Sequence, residues 1–245
     1  MQKSMPGRST TISIVSHGQN ALVNHLLADV ERVCSESVAL VLTQNVPDSV
    51  PLSTEMLSCP VETVVNSRRK GFGANHNAAF SRCRTPLFCV VNPDIRLPKD
   101  PFAALAGPLE HEGAGVVGPL VRSPAGSVED SARRFPTLGI LFRKAFGALS
   151  APDYPIDRGL QEVDWIAGMF MLFRSEVFRA VGGFDEDYFL YYEDVDLCRR
   201  LRAAGRSVVY NPAVEVVHDA RRASRRDPRL ALYHAASALR FLWRR

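Results

Sequence analysis

The 245-residue chain is 46% apolar and 23% charged, which supports a sizeable core and excludes a largely disordered protein. Its length fits one α/β domain, and no apolar run reaches the ~18–20 residues that a membrane span needs. The net charge of +4 is uneven: Asp219 to Arg245 holds eight arginines against two aspartates, whereas residues 1–218 carry 22 basic and 24 acidic groups, so the basicity suits a local anionic partner and not a nucleic-acid-binding body.

The start, MQKSMPGRSTTISIVSHG, lacks the apolar stretch and cleavage site of a signal peptide. Five cysteines (Cys34, Cys59, Cys83, Cys89 and Cys198) form no CxxC pair, which points to reduced thiols in the cytoplasm. Thr10 to Ser16 reads as a buried β-branched strand bounded by Gly18. Ala21 to Cys34 sets Leu22, Leu26, Val30 and Val33 near helical spacing. Ser37 to Thr43 is a second strand, ended by Asn45-Val46-Pro47-Asp48, and Val61 to Val65 is a third. This order predicts a parallel sheet with ligand loops at the carboxyl ends of its strands.

Next comes Asn66-Ser67-Arg68-Arg69-Lys70-Gly71-Phe72-Gly73-Ala74-Asn75-His76-Asn77. Its glycines permit close backbone approach to a ligand, and the helix that follows offers N–H groups to phosphate beside three basic side chains. An ordinary loop-to-helix junction explains the same pattern. Asn75 and Asn77 suit a helix cap as well as a base or ribose contact. Pro86 to Asn92 is a fourth strand, stopping at Asn92-Pro93-Asp94. A carboxylate there is placed to hold Mg2+ or Mn2+ against a diphosphate, although the tripeptide is also turn chemistry.

Pro101 to His111 reads as a short helix and Ala114 to Leu120 as a strand. Residues 121–157 hold seven Pro/Gly and read as irregular, with Arg133 and Arg134 either clamping phosphate or solvated. Within them, Ile140 to Leu149 is an amphipathic patch suited to an acceptor or a membrane. Val163 to Phe173 reads as one apolar strand in which Gly168 lets the backbone approach a sugar. Ser175 is placed to cap a helix over Glu176 to Val181, ended by Gly182-Gly183.

The densest acid cluster follows. Glu193, Asp194 and Asp196 come directly after Tyr188-Phe189-Leu190-Tyr191-Tyr192. The helix dipole explains one acid at a helix start, and it favours the ionised form of Asp194. Three acids beside an aromatic wall suit a sugar-sized ligand and base catalysis. The helix from Glu193 to Ala204 packs Val195, Leu197, Cys198 and Leu201, leaving Arg199, Arg200 and Arg202 outward, and Gly205 stops it. Ser207 to Tyr210 is a strand broken by Pro212, and Val214 to Val217 leads to His218, either a surface residue or a metal ligand. Arg221 to Arg245 reads as a basic amphipathic helix, docked on the domain or lying on an anionic membrane surface.

The blocks TISIVSHGQN, N-x-x-x-K-G-F-G-A-N-x-N-A-A, V-N-P-D, D-W-I-A-G, G-G-F-D-E…E-D-V-D-L-C-x-R-L-R-x-A-G and N-P-x-x-x-V-V-H resemble the inverting glycosyltransferases of family 2, in particular their rhamnosyltransferase-like branch. The resemblance implies a GT-A fold, a central mostly parallel sheet flanked by helices, over residues 1–218, with residues 219–245 as a helical tail packed on it. It implies Asp194 as general base, Glu193 as acceptor-positioning or sharing that role, and Asp94 and His218 as ligands of Mg2+ or Mn2+. Ser16, Gln44, Asn45, Asn66, Lys70, Gly71, Gly73, Asn77, Asn92, Asp94, Trp165 and Gly168 would border the nucleotide-sugar.

One departure is Gln44, where the family usually has an acid before asparagine. The branch implies dTDP-rhamnose as donor, with UDP-sugars open, and a glycan or lipid-linked acceptor for cell-surface polysaccharide. That work places the protein in the cytoplasm, peripheral on the inner membrane face. Two alternatives are a catalytically silent nucleotide-sugar-binding module, which would tolerate loss of Asp194, and a nucleotidyltransferase. The latter usually has a glycine-rich basic signature near the first strand, which SIVSHGQN lacks.

Overall fold

The β-branched run Thr10–His17 forms β1, the strand about which the sheet is assembled. In a computed structural model, which describes residues 9–110, 113–137, 152–219 and 228–243, β1 is flanked in parallel by β2 (Val38–Val46) and β4 (Leu87–Val91). β3 (Val61–Val65) lies parallel outside β2. Beyond β4, β11 (Phe170–Arg174) runs antiparallel between β4 and β6 (Ala114–Arg122). β12 (Ser207–His218) then pairs in parallel with β6, and the short β5 (Ile95–Arg96) pairs antiparallel with its far end. The spatial order is β3-β2-β1-β4-β11-β6-β12-β5. Two short strands attach to this sheet, β7 (Val128–Glu129) on β6 and β9 (Gln161–Glu162) on β12, while β8 (Ala132–Arg133) and β10 (Trp165–Ile166) pair as a separate two-stranded sheet.

Both faces of the sheet are covered, because alternate side chains feed two cores. Ile12, Leu40, Cys89 and Leu172 pack on the side of α1 (Asn20–Val33) and α3 (Phe102–Glu110). Phe88, Val90, Met171 and Phe173 pack on the other side, with α4 (Ser175–Ala180) and α5 (Glu193–Ala203). On that side β1 turns polar: Ser13 Oγ lies 2.8 Å from His76 Nδ1, and burial drives His76 down to about 3, so it is a neutral core histidine. His76 belongs to α2 (Phe72–Phe80).

Several sequence expectations shift. The run Val163 to Phe173 is not one strand but β10 and β11, separated by a turn at Gly168 and Met169. Pro212 does not break β12, because it falls where the register slips between Asn211 and Glu215, a bulge with no ladder bond for its missing N–H to make. Ser175 begins α4 without capping it; its hydroxyl donates to Thr85 O. The region 121–157 contributes β7 and β8, while Ile140 to Leu149, His111 and Arg221, Arg222, Arg225 and Arg226 lie outside the described residues. Among the described residues no helix is long and apolar enough to cross a membrane.

One ion-pair cluster ties α1 to β5 and the residue that follows it. Asp29, inward on α1, accepts from Arg96 Nε at 2.6 Å, Arg32 Nη2 at 2.9 Å and Leu97 N at 3.1 Å. Burial works to raise this carboxyl, but the bonds from Arg96, Arg32 and Leu97 outweigh it and hold it below the usual range. A depressed folded-state pKa means that the stabilisation is complete above the ordinary aspartate value and is lost as pH falls through the depressed one. Asp29→Asn is therefore expected to cost about 1–3 kcal/mol in urea unfolding at neutral pH. The gap from the parent protein should narrow in acid.

Candidate active site

The acid pair sits where α5 begins, and the chain enters that helix through two strained residues. Tyr191 and Tyr192 have φ of 70° and 68°, left-handed values that cost a bulky residue about 1–3 kcal/mol each. The flanking backbone is tied down: Phe189 O accepts from Phe72 N, and Leu190 O accepts from Ser237 Oγ of α6 (Pro228–Trp243). Both tyrosine rings pack on His234, and Tyr192 also on Phe241.

Asp194 is half-buried and accepts from Gly168 N at Oδ2 and from Val195 N at Oδ1, each at 2.8 Å. Glu193 is only 5% exposed, and its Oε2 has no hydrogen-bond partner. Burial raises both carboxyls, and the Asp194 charge pushes Glu193 further. The expectation that the helix start keeps Asp194 readily ionised is thus corrected: its N–H bonds pull it down, but desolvation outweighs them. A raised carboxylate is a stronger base, and two fixed N–H groups aim it. Asp196, the third acid, is structural. It binds Arg199 at 2.9 Å and Arg200 at 2.7 Å, so these two arginines are half-buried where an outward course was expected, whereas Arg202 is exposed as expected and donates to Val163 O.

Asp94 follows β4 and is brought to His218 by the pairing of β5 with the end of β12. His218 Nε2 lies 3.2 Å from Asp94 Oδ2, and Nδ1 lies 2.5 Å from Glu129 Oε2. Burial works to lower this imidazole, yet Asp94 and Glu129 push it up to about 9. Asp94 Oδ1 is buried without a partner. Among the described residues no cluster of three or more His, Cys, Asp or Glu side chains is arranged for a metal. Asp94 and His218 are therefore a partial set, which fits Mg2+ or Mn2+, ions that fill their shells with phosphate oxygens and water. Binding an ion would require His218 to release its Nε2 proton, as metal binding generally does.

The remaining predicted residues divide by what their side chains do. Asn45 Oδ1 accepts from Asn66 Nδ2 and Lys70 N, and its Nδ2 donates to Lys70 O. Its amide therefore presents Nδ2 to His17 Nδ1 at 2.9 Å, which leaves the proton on His17 Nε2, a buried donor with no partner. Burial, helped by Arg69, keeps His17 neutral. Ser16 is spent inside the fold, accepting from Gln19 N and donating to Asn20 Oδ1. Gln44 is half-exposed at the end of β2. Asn77 is committed to both polar atoms of Phe184 and to Glu186, so it clamps α2 to the segment before the acid pair.

Gly71 and Gly73 serve the same packing. A Cβ on Gly71 would stand 2.6 Å from Phe189 O, and one on Gly73 2.7 Å from Phe184 Cβ. Phe72 N is already taken by Phe189 O, so the protein itself occupies this end of α2 where a phosphate cradle was one reading. Gly168 approaches the base more closely than any sugar reading required: its N–H binds Asp194, and a Cβ would sit 3.1 Å from Phe72 Cζ. Its neighbour Met169 O accepts from Asn92 N, so one turn touches both the Asp94 loop and Asp194. Trp165 is buried in the core, donating to Arg134 O beneath the Arg133 guanidinium, and offers no open stacking platform.

Sequence reasoning gave no role to Glu129, His17 or His234. Glu129 carried no local signal, because only the pairing of β7 with β6 brings it to His218. His17 stood inside a quoted motif, but its unused Nε2 becomes visible only once Asn45 is placed.

Buried polar atoms without partners gather at the sheet's carboxyl edge and the acid pair: His17 Nε2, Thr43 Oγ1, Asp94 Oδ1 and Glu193 Oε2. Native interiors leave few such atoms, and this edge is where open α/β sheets bind ligands. Fold and site together define a GT-A domain. The fold is shared with GalNAc-T7 solved with UDP, GalNAc and Mn2+ (TM-score 0.67, 14% identity, 87% of this chain and 43% of that one). It is also shared with the mannosyltransferase PcManGT of Pyrobaculum calidifontis, solved with GDP-Man and Mn2+ (TM-score 0.60, 15% identity, 88% and 58%).

The chain belongs to glycosyltransferase family 2: a family model described as glycosyltransferase like family 2 matches residues 9–233. It is 38% identical over 163 residues to N-acetylglucosaminyl-diphospho-decaprenol L-rhamnosyltransferase of Mycobacterium tuberculosis, a match covering 60% of this chain and only 52% of that protein. It is 30% identical over 246 residues to Rhamnosyltransferase WbbL of Escherichia coli K12, covering 96% and 92%. The chain thus spans about half the length of the mycobacterial relative and nearly all of the second.

Gly71→Ala must separate α2 from Phe189. It is expected to cost about 1–3 kcal/mol, read by thermal unfolding, because backbone there has no room to yield. Ala at position 107, where a Cβ meets nothing, is the matched control.

Proposed function

We propose that this chain is an inverting glycosyltransferase that moves L-rhamnose from dTDP-rhamnose to a hydroxyl of a glycan or lipid-linked glycan acceptor in cell-surface polysaccharide synthesis. The observation that carries the reading is the base: Asp194, raised by burial yet aimed by the Gly168 and Val195 N–H groups, beside orphaned polar atoms at the ligand edge of the sheet. The rhamnosyl donor and the lipid-linked acceptor class are supported by the names of the two relatives.

Asp94 and His218 would hold Mg2+ or Mn2+, which supplies charge neutralisation for a departing nucleoside diphosphate. Asp194 takes the acceptor hydroxyl proton as that oxygen bonds to the anomeric carbon. The carbon–oxygen bond to the diphosphate breaks on the opposite face, so configuration inverts. Glu193, kept protonated by burial and by its neighbour's charge, is able to donate a hydrogen bond to the acceptor without competing for its proton. Glu129 holds His218 through Nδ1 and so leaves Nε2 directed at Asp94.

Asp194→Asn should lower transfer by roughly 10^2–10^4-fold, the usual reach of general base catalysis, with donor affinity unchanged by calorimetry. Unchanged turnover would sink the base assignment and favour a silent binding module. Calorimetry of a nucleotide-sugar panel, with and without Mn2+, should show metal-dependent binding strongest for dTDP-rhamnose. In Glu129→Gln the Mn2+ affinity, read by paramagnetic resonance, should fall about 10–100-fold, the range for a lost carboxylate partner of a ligand histidine.

A further inference from the structure

Helix α6 has two faces, and both are apolar. The inner one docks: Ser237 and Phe241 are buried, Ser237 binds Leu190 O, and Arg199 lies over the Phe241 ring. A docked surface helix ordinarily turns charged residues to solvent. Here the opposite face carries Leu232, Ala235, Ala236, Leu239 and Trp243, spaced three and four apart as one stripe. Leu232 is 71% exposed, Leu239 70% and Trp243 92%. Three large apolar side chains in line at that exposure differ from the scattered single ones of an ordinary surface.

The surrounding charge decides what covers the stripe. Residues 228–245 contain no acid, and the stripe is bracketed in sequence by Arg229 and by Arg244 and Arg245; Arg221, Arg222, Arg225 and Arg226 precede it. A second copy meeting this face through a two-fold axis would set one cationic tail against another. An anionic lipid surface instead complements the arginines and accepts the leucines and tryptophan together.

We propose that the outward face of α6 is a membrane-docking surface that lies on anionic bilayers, with Leu232, Leu239 and Trp243 in the interfacial layer. The inner face of the same helix packs on Tyr191 and Tyr192, which lead into Glu193 and Asp194. Docking therefore sets the bilayer one helix away from the base. The inference does not depend on the donor or on the transferase reading.

The test is flotation of the full chain with phosphatidylcholine vesicles, with and without phosphatidylglycerol, while tryptophan emission is followed. Only Trp165 and Trp243 fluoresce as indoles, and Trp165 is buried, so a blue shift reports Trp243. Binding is expected to the anionic vesicles alone, weakened by salt. The doubly substituted L239E/W243E protein should lose at least ~10-fold in bound fraction, since affinity follows buried apolar area and charge together. Its circular dichroism and nucleotide-sugar binding should be unchanged, because both side chains face solvent. No binding by the parent protein, equal binding to both vesicle types, or full binding by L239E/W243E overturns the proposal. So does a parent dimer in light scattering that L239E/W243E dissociates, which would assign the stripe to a second copy. The vesicle contrast and the emission shift need no variant, and a negative result with intact donor binding would leave the proposed reaction standing.

Discussion

Two adjacent tyrosines held in left-handed backbone are the constraint on which this site depends. No glycine at positions 191 and 192 relieves that conformation, so packing must impose it. The clamp comes from both sides of the chain: α2 through the Phe72–Phe189 backbone bond and α6 through Ser237, His234 and Phe241. Release of either side would let the entry to α5 relax and would turn Asp194 away from Gly168. The tightness of the Gly71 and Gly73 approaches follows from the same need, because a clamp with slack cannot hold a strained residue.

The acid pair and the Asp94–His218 pair are then joined by one turn. Gly168 N–H holds Asp194, and the next carbonyl, Met169 O, holds Asn92, two residues before Asp94. Two carboxylate centres with different duties are thereby fixed to a common piece of backbone. Their environments also diverge. Glu193 and Asp194 are desolvated and raised, whereas Asp94 faces a cationic imidazole that a second carboxylate, Glu129, keeps charged.

Much of this was legible in the sequence. Apolar, largely β-branched runs located the four parallel strands at the start of the sheet to within three residues, and the acid cluster was found at a helix start. Roles that depend on direction were not legible. Asn66, Asn77, Gly71 and Gly73 were read as facing a nucleotide, and several of their contacts face the segment 184–189 or Asn45 instead. A glycine permits close approach, but sequence does not say whether ligand or protein does the approaching. Pro212 misled in a similar way, since a proline in a strand breaks it only where its missing N–H was needed. Glu129 pairs with the neighbouring β6, but its partner His218 lies 89 positions away, so no local pattern joins them.

The antiparallel course of β11 has a consequence for how the protein comes into being. Because that strand runs against its neighbours, its leading end lies beside the trailing end of β4, and only then can the Gly168–Met169 turn reach both Asp194 and Asn92. Its partners in β6 and β4 are separated from it by 55–87 positions of chain. Closing loops of that length is slow and comes after local structure in most domains. A chain that has formed its helices and first strands, but not inserted β11, lacks the Gly168 N–H that holds Asp194. Such an intermediate is incomplete at Asp194, and this carboxylate gains its fixed orientation only once the long-range pairing of β11 has closed.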